Sequence, residues 1–86
     1  MKKTIAQNRI CVVIPAYRVK SHLLGVVNSI GPEVTNIIVV DDACPEKSGE
    51  YLARHTTDPR IEIIFHKVNL GVGGAVKTGY ARALEL

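Results

Sequence analysis

Tryptophan is absent from this 86-residue chain, phenylalanine occurs once, and aromatic residues make up only 5% of it. A module that stacks single-stranded bases needs more rings than that. The eleven Lys and Arg are scattered, which removes the basic stripe of a nucleic-acid binder. Cysteine is nearly as scarce. Cys11 sits in an apolar run and Cys44 in a loop, without C-x-x-C spacing or a Cys/His ligand pattern, so neither a disulfide framework nor a zinc site is indicated. They read as free thiols of a reducing cytosol. No apolar stretch approaches the roughly 20 residues of a membrane span. Lys2 and Lys3 are followed by no apolar core, so the start of the chain is not a secretory signal. His22, His55 and His66 are isolated from one another, match no metal or triad signature, and read as surface or strand-end residues.

The remainder suits one small globular domain. Hydrophobic content is 47%, and a chain of this length buries roughly 60–65% of its unfolded surface. The net charge of +3 suits an anionic small ligand. Strand-then-helix units follow one another without repeat, low-complexity tract or linker. The first strand covers residues 9–14 and is closed by Pro15, which removes a ladder donor. A helix follows from about Ser21 as N-cap, with Leu23, Leu24, Val26, Val27 and Ile30 at helical spacing, stopped by Gly31 as C-cap and Pro32 beyond it. The second strand runs from Asn36 to Asp41, and a short helix from about Ser48 to His55 buries Tyr51 and Leu52. Asp58-Pro59 marks a turn. The third strand covers residues 61–66. A glycine-rich loop over residues 69–74 then leads into a helix with Val76, Tyr80, Ala83 and Leu84 on one face.

This alternation implies an α/β fold with a parallel sheet and right-handed crossovers. Strand order 3-2-1 puts the first two helices on one face and the third on the other, a three-layer α/β/α arrangement. No fourth strand follows to lie beside the first. Its edge is expected to be uncovered, a pairing hazard that points to a homo-oligomer or to instability alone.

Chemistry is concentrated at the strand ends. Ile37-Ile38-Val39-Val40 has no polar face and reads as a strand buried on both sides. Asp41 and Asp42 follow it, at the carboxyl end where open α/β sheets bind ligands. A turn would explain one Asp; two, with Pro15-Ala16-Tyr17 after the neighbouring strand, point to a site. A carboxylate only accepts hydrogen bonds, so it selects a ring N–H such as N3–H of uracil or N1–H of guanine, and Tyr17 could cover the base face. Taken alone, Tyr17 reads first as an ordinary half-buried aromatic. Gly71, Gly73 and Gly74 do not complete a G-x-G-x-x-G fingerprint, and no Walker A Lys follows. They allow close helix–sheet packing, or leave free N–H groups for an anion. Lys77 reads as a solvated charge or as a phosphate contact.

Together, Val12-Val13-Ile14-Pro15-Ala16-Tyr17, Ile38-Val39-Val40-Asp41-Asp42, and Asn69-Leu70-Gly71-Val72-Gly73-Gly74-Ala75 with Gly79 resemble the start of a family-2 glycosyltransferase of the A-type nucleotide-sugar fold, in its polyprenyl-phosphate (dolichyl-phosphate mannose synthase-like) branch. The resemblance implies a Rossmann-like nucleotide-sugar-binding half, residues 1–86, ending before the D-x-D motif. It also implies that Pro15, Ala16 and Tyr17 line the nucleotide pocket, that Asp42 accepts from the base with Val40 beside it, and that Asp41 orders the loop. Relatives carry Asn-Glu where Arg18-Val19 stand here, so Val19 would contact the nucleotide through its backbone. Others carry an Arg near Val76 or Thr78. The implied donor is a UDP- or GDP-linked sugar, the acceptor a polyprenyl phosphate or glycan, and the setting the cytoplasm or the cytoplasmic membrane face. The implied cofactor is Mg2+ or Mn2+, with ligands and catalytic base beyond residue 86. Alternatives are a non-catalytic α/β module binding a nucleotide or partner chain, and a sugar-phosphate nucleotidyltransferase, whose G-x-G-T-R stretch after the first strand is missing.

Overall fold

The structure is a computed structural model and describes residues 9–86; Met1 to Asn8, read above as no signal, lie outside the described residues. Strands β1 (Cys11–Ala16), β2 (Asn36–Asp41) and β3 (Ile61–Phe65) alternate with helices α1 (Lys20–Asn28), α2 (Ser48–His55) and α3 (Gly71–Glu85). The sheet is parallel with β2 in the middle, which is the 3-2-1 order read from the sequence.

The apolar run of β2 explains the layering. Ile37, Ile38, Val39 and Val40 are fully buried, and successive side chains of a strand point to opposite faces. Ile37 and Val39 join Leu23 and Val27 of α1 and Leu52 of α2 in one core. Ile38 and Val40 meet Ala75 of α3 in a second. The result is a three-layer α/β/α, Rossmann-like fold.

Several local expectations are corrected. Pro15 does not end β1, which continues through Ala16 in register with Asp41. The carbonyls of Ile10 and Ala16 accept from β2 and its continuation, so by alternation the even residues of β1 face β2. Pro15 faces the edge of β1 that is unpaired among the described residues, where its missing N–H costs no ladder bond. Ser21 lies inside α1; the N-cap is Val19, with no side-chain cap bond. The helix ends at Ser29, whose hydroxyl donates to the Val26 carbonyl at 2.7 Å, so Gly31 is not the C-cap. The connection beyond is held by Arg60, which donates to the carbonyls of Ile30, Gly31 and Val34 and pairs with Asp58.

The glycine-rich segment is helix rather than loop from Gly71 onward. The buried face of α3 is also not the expected one: Ala75 and Gly79 are buried, while Tyr80 and Leu84 are 62% and 88% exposed. A Cβ on Gly79 would lie 2.2 Å from Cγ1 of Val13. Small residues at i, i+4 spacing bring the helix axis onto the sheet and turn the larger apolar residues outward.

Candidate functional site

The register places Ala16, Asp41 and Phe65 in one row across the carboxyl edge. One further bond on each side extends it, from Asp42 N–H to the Ala16 carbonyl (3.0 Å) and from His66 N–H to the Asp41 carbonyl (2.9 Å). Tyr17, Asp42 and His66 are therefore the residues that leave the sheet side by side.

The adjacent aspartates do different work because adjacent strand residues face opposite ways. Asp41 turns toward α2. Its Oδ1 accepts from the Cys44 N–H and its Oδ2 from the Gly49 N–H, both at 2.8 Å. The N-cap of α2, Lys47, supplies no side-chain cap bond, so Asp41 satisfies a helix-start donor from the neighbouring strand. Gly49 permits the approach, since a Cβ there would lie 2.8 Å from Asp41 Oδ2. Asp42 turns toward α3, whose N-cap Leu70 also lacks a side-chain cap. Its Oδ1 accepts from the Leu70 N–H and from His66 Nδ1, each at 2.8 Å. The His66 hydrogen bond first, then the Leu70 N–H, hold the Asp42 carboxyl below the usual carboxylate range. It is ionised at neutral pH, 2% exposed, and favourably placed at a helix start.

His66 also reaches Thr78 Oγ1 through Nε2 at 2.8 Å. Asn69 completes the corner, donating to the Asp42 carbonyl and accepting from the Gly71 N–H. Gly71 has φ +82°, a conformation that favours glycine. Gly73 has nothing within 4 Å of a built Cβ, whereas at Gly74 a Cβ would meet the Leu70 side chain. The glycine that fits against the sheet is Gly79, and Lys77 is exposed on α3.

On the β1 side, Tyr17 is 40% exposed and the Arg18 guanidinium lies 5.5 Å from its ring centroid. Arg18 has φ 57°, and its N–H donates to Cys44 Sγ at 3.0 Å. Ser48 Oγ sits 3.1 Å from the same sulfur and accepts from the Val19 N–H at 3.4 Å. Burial pushes the Cys44 thiol up, but the Ser48 hydroxyl and surrounding N–H groups outweigh it and bring it below its ordinary value. Ala16 and Val40 are fully buried in opposite cores; Pro15 is half-buried.

Sequence reasoning set His66 aside as a strand-end residue; the structure makes it the link between Asp42 and α3. The available signal was positional, since His66 follows the β3 run just as Asp42 follows β2. Two concavities of about 290 and 310 Å3 lie one loop away, both along Lys20, Glu46 and Tyr51. Among the described residues no group of three or more His, Cys, Asp or Glu side chains could hold a metal ion. The donor set here does not fit the divalent cation that the resemblance implies. No helix among the described residues is long and apolar enough to cross a membrane.

The undecaprenyl-phosphate mannosyltransferase of Micrococcus luteus is 32% identical over 81 residues, covering 90% of this chain and 33% of its own length. The chain thus spans about a third of that curated relative. No solved structure matches. The model of the family described as "Glycosyl transferase family 2" matches residues 11–85, from the first residue of β1 to the last of α3, and the chain belongs to that family.

Proposed function

We propose that the edge formed by Tyr17, Asp42 and their neighbours binds the nucleotide of a sugar-nucleotide donor, and that the activity served is sugar transfer to a polyprenyl phosphate or glycan acceptor. The observation that carries the reading is a carboxylate and an exposed tyrosine on adjacent strand tips. Asp42 accepts a ring N–H of the base, and Tyr17 covers a base face, worth about 1–3 kcal/mol by analogy with base stacking. Pro15, Ala16, Val19 and Val40 line the pocket, Asp41 keeps the loop in place, and Arg18 and Lys77 supply positive charge toward the diphosphate. At the start of α3 the Gly73 N–H adds a donor, that of Gly71 being engaged by Asn69.

The acceptor class is supported by the undecaprenyl-phosphate specificity in the relative's name. The unpaired Cys11 and Cys44 support a reducing, cytoplasmic setting. Calorimetric titration with UDP, GDP and their sugars tests the site. Tyr17→Ala, at an exposed position, should weaken binding by about 1–3 kcal/mol without altering the circular dichroism spectrum. Asp42→Ala should abolish it. Unchanged affinity in both variants would remove this edge as the nucleotide site.

A further inference from the structure

Both side-chain hydrogen bonds to Asp42 fall on the same oxygen, Oδ1, one from His66 Nδ1 and one from the Leu70 N–H. A carboxylate only accepts, so Nδ1 carries the proton. The ring is not free to turn away. Its other nitrogen lies 2.8 Å from Thr78 Oγ1, whose hydroxyl lies 3.0 Å from the Gly74 carbonyl oxygen, and the side chain is 10% exposed. A carbonyl-type oxygen has two lone pairs, and both of those on Oδ1 are engaged. Among the described residues no sealed side-chain polar atom lacks a partner. Oδ2, which receives neither bond, is the oxygen left for a ligand.

We infer that the site selects the imide edge of a pyrimidine, uracil or thymine, over guanine; this rests on the reading of Asp42 as the base acceptor. Guanine presents N1–H and N2–H side by side, a pair that matches a carboxylate with both oxygens available. With Oδ1 filled, one of those donors is left without a partner in a desolvated corner. Uracil and thymine present a single N3–H between two carbonyls. That edge needs one acceptor, and a second available oxygen would face a carbonyl and repel it. Filling Oδ1 with His66 and Leu70 therefore penalises guanine and removes a repulsion for the pyrimidine. An unpaired donor corresponds to a preference on the order of tenfold or more.

The test is calorimetric titration of the chain with UDP, dTDP and GDP, for wild type and for His66→Leu. UDP or dTDP should bind about tenfold or more tightly than GDP, and the difference between the two pyrimidines reports whether the 5-methyl group is accommodated. His66→Leu releases one lone pair of Oδ1, so the pyrimidine-to-guanine ratio should narrow; a merely structural role would lower all affinities together and leave the ratio alone. GDP binding as tightly as UDP and dTDP in the wild type, or an unchanged ratio in His66→Leu, overturns the base assignment and leaves the site standing. No binding of any diphosphate overturns the site itself, and the base assignment with it.

Discussion

On one side of the sheet, α1 and α2 bring Leu23, Val27 and Leu52 onto Ile37 and Val39, and all are essentially sealed from solvent. On the other side, α3 brings Ala75 and Gly79 down onto Ile38, Val40 and Val13, while Val72, Tyr80 and Leu84 face outward. The first face is held by large side chains, each worth roughly 1.5–3 kcal/mol on full burial. The second is held by close approach of the backbone and by the polar corner of Asp42, His66, Asn69 and Thr78. The two aspartates follow the same division, Asp41 closing the loop on the α2 side and Asp42 fastening the start of α3. A carboxylate that anchors a helix can also meet a ligand only if one oxygen stays out of the anchoring, and Asp42, unlike Asp41, has both of its side-chain bonds on a single oxygen.

The sharpest way to break this contrast is to truncate a leucine on each side. Leu52→Ala should cost about 2–5 kcal/mol in urea unfolding, and Leu84→Ala no more than about 0.5 kcal/mol. Comparable losses would mean that the α3 surface is packed after all. Glycines give the next contrast. Gly79→Ala forces a methyl group into Val13 and should cost about 1–3 kcal/mol. Gly25→Ala, on α1 with nothing within 4 Å, should gain about 0.5–1 kcal/mol from helix propensity. Thermal melts that move both variants in the same direction would contradict the packing described for α3.

A smaller effect should appear in acid. Asp42 has a folded value below its unfolded one, so its contribution is complete above about pH 4 and is lost as pH falls through the folded value. Stability measured by denaturant titration should therefore decline below about pH 4, and Asp42→Asn should show a shallower decline. Asp58, held low by Arg60, still titrates in the variant, so the slope is reduced and not abolished. Identical slopes would remove Asp42 from the set of stabilising carboxylates.

Much of the architecture was readable from residue type alone. The β-branched run at 37–40 could only be a strand covered on both sides, and the order of strands and helices determined which helices share a face. The boundaries of α1 around Ser21 and Gly31 were misread because Val19 opens the helix without a side-chain cap, Ser29 closes it with its own hydroxyl, and Arg60, distant in sequence, holds the turn beyond. The face of α3 was misassigned because an apolar stripe normally points inward, yet at Gly79 the side chain of Val13 takes the space a larger residue would need. The strand-tip aspartates were visible as a pair, but their division of labour was not, since it depends on which helix start each one meets. His66 escaped notice because its partners, Asp42 and Thr78, stand 24 and 12 residues away.

Pro15 shapes the border of the molecule as well as its own strand. Lacking an N–H at the outermost rung, it offers any chain that zips alongside β1 an acceptor but no donor at that level. An added strand would find donors at Cys11 and Val13 and none at Pro15, so its hold is weakest at the lip beside Tyr17.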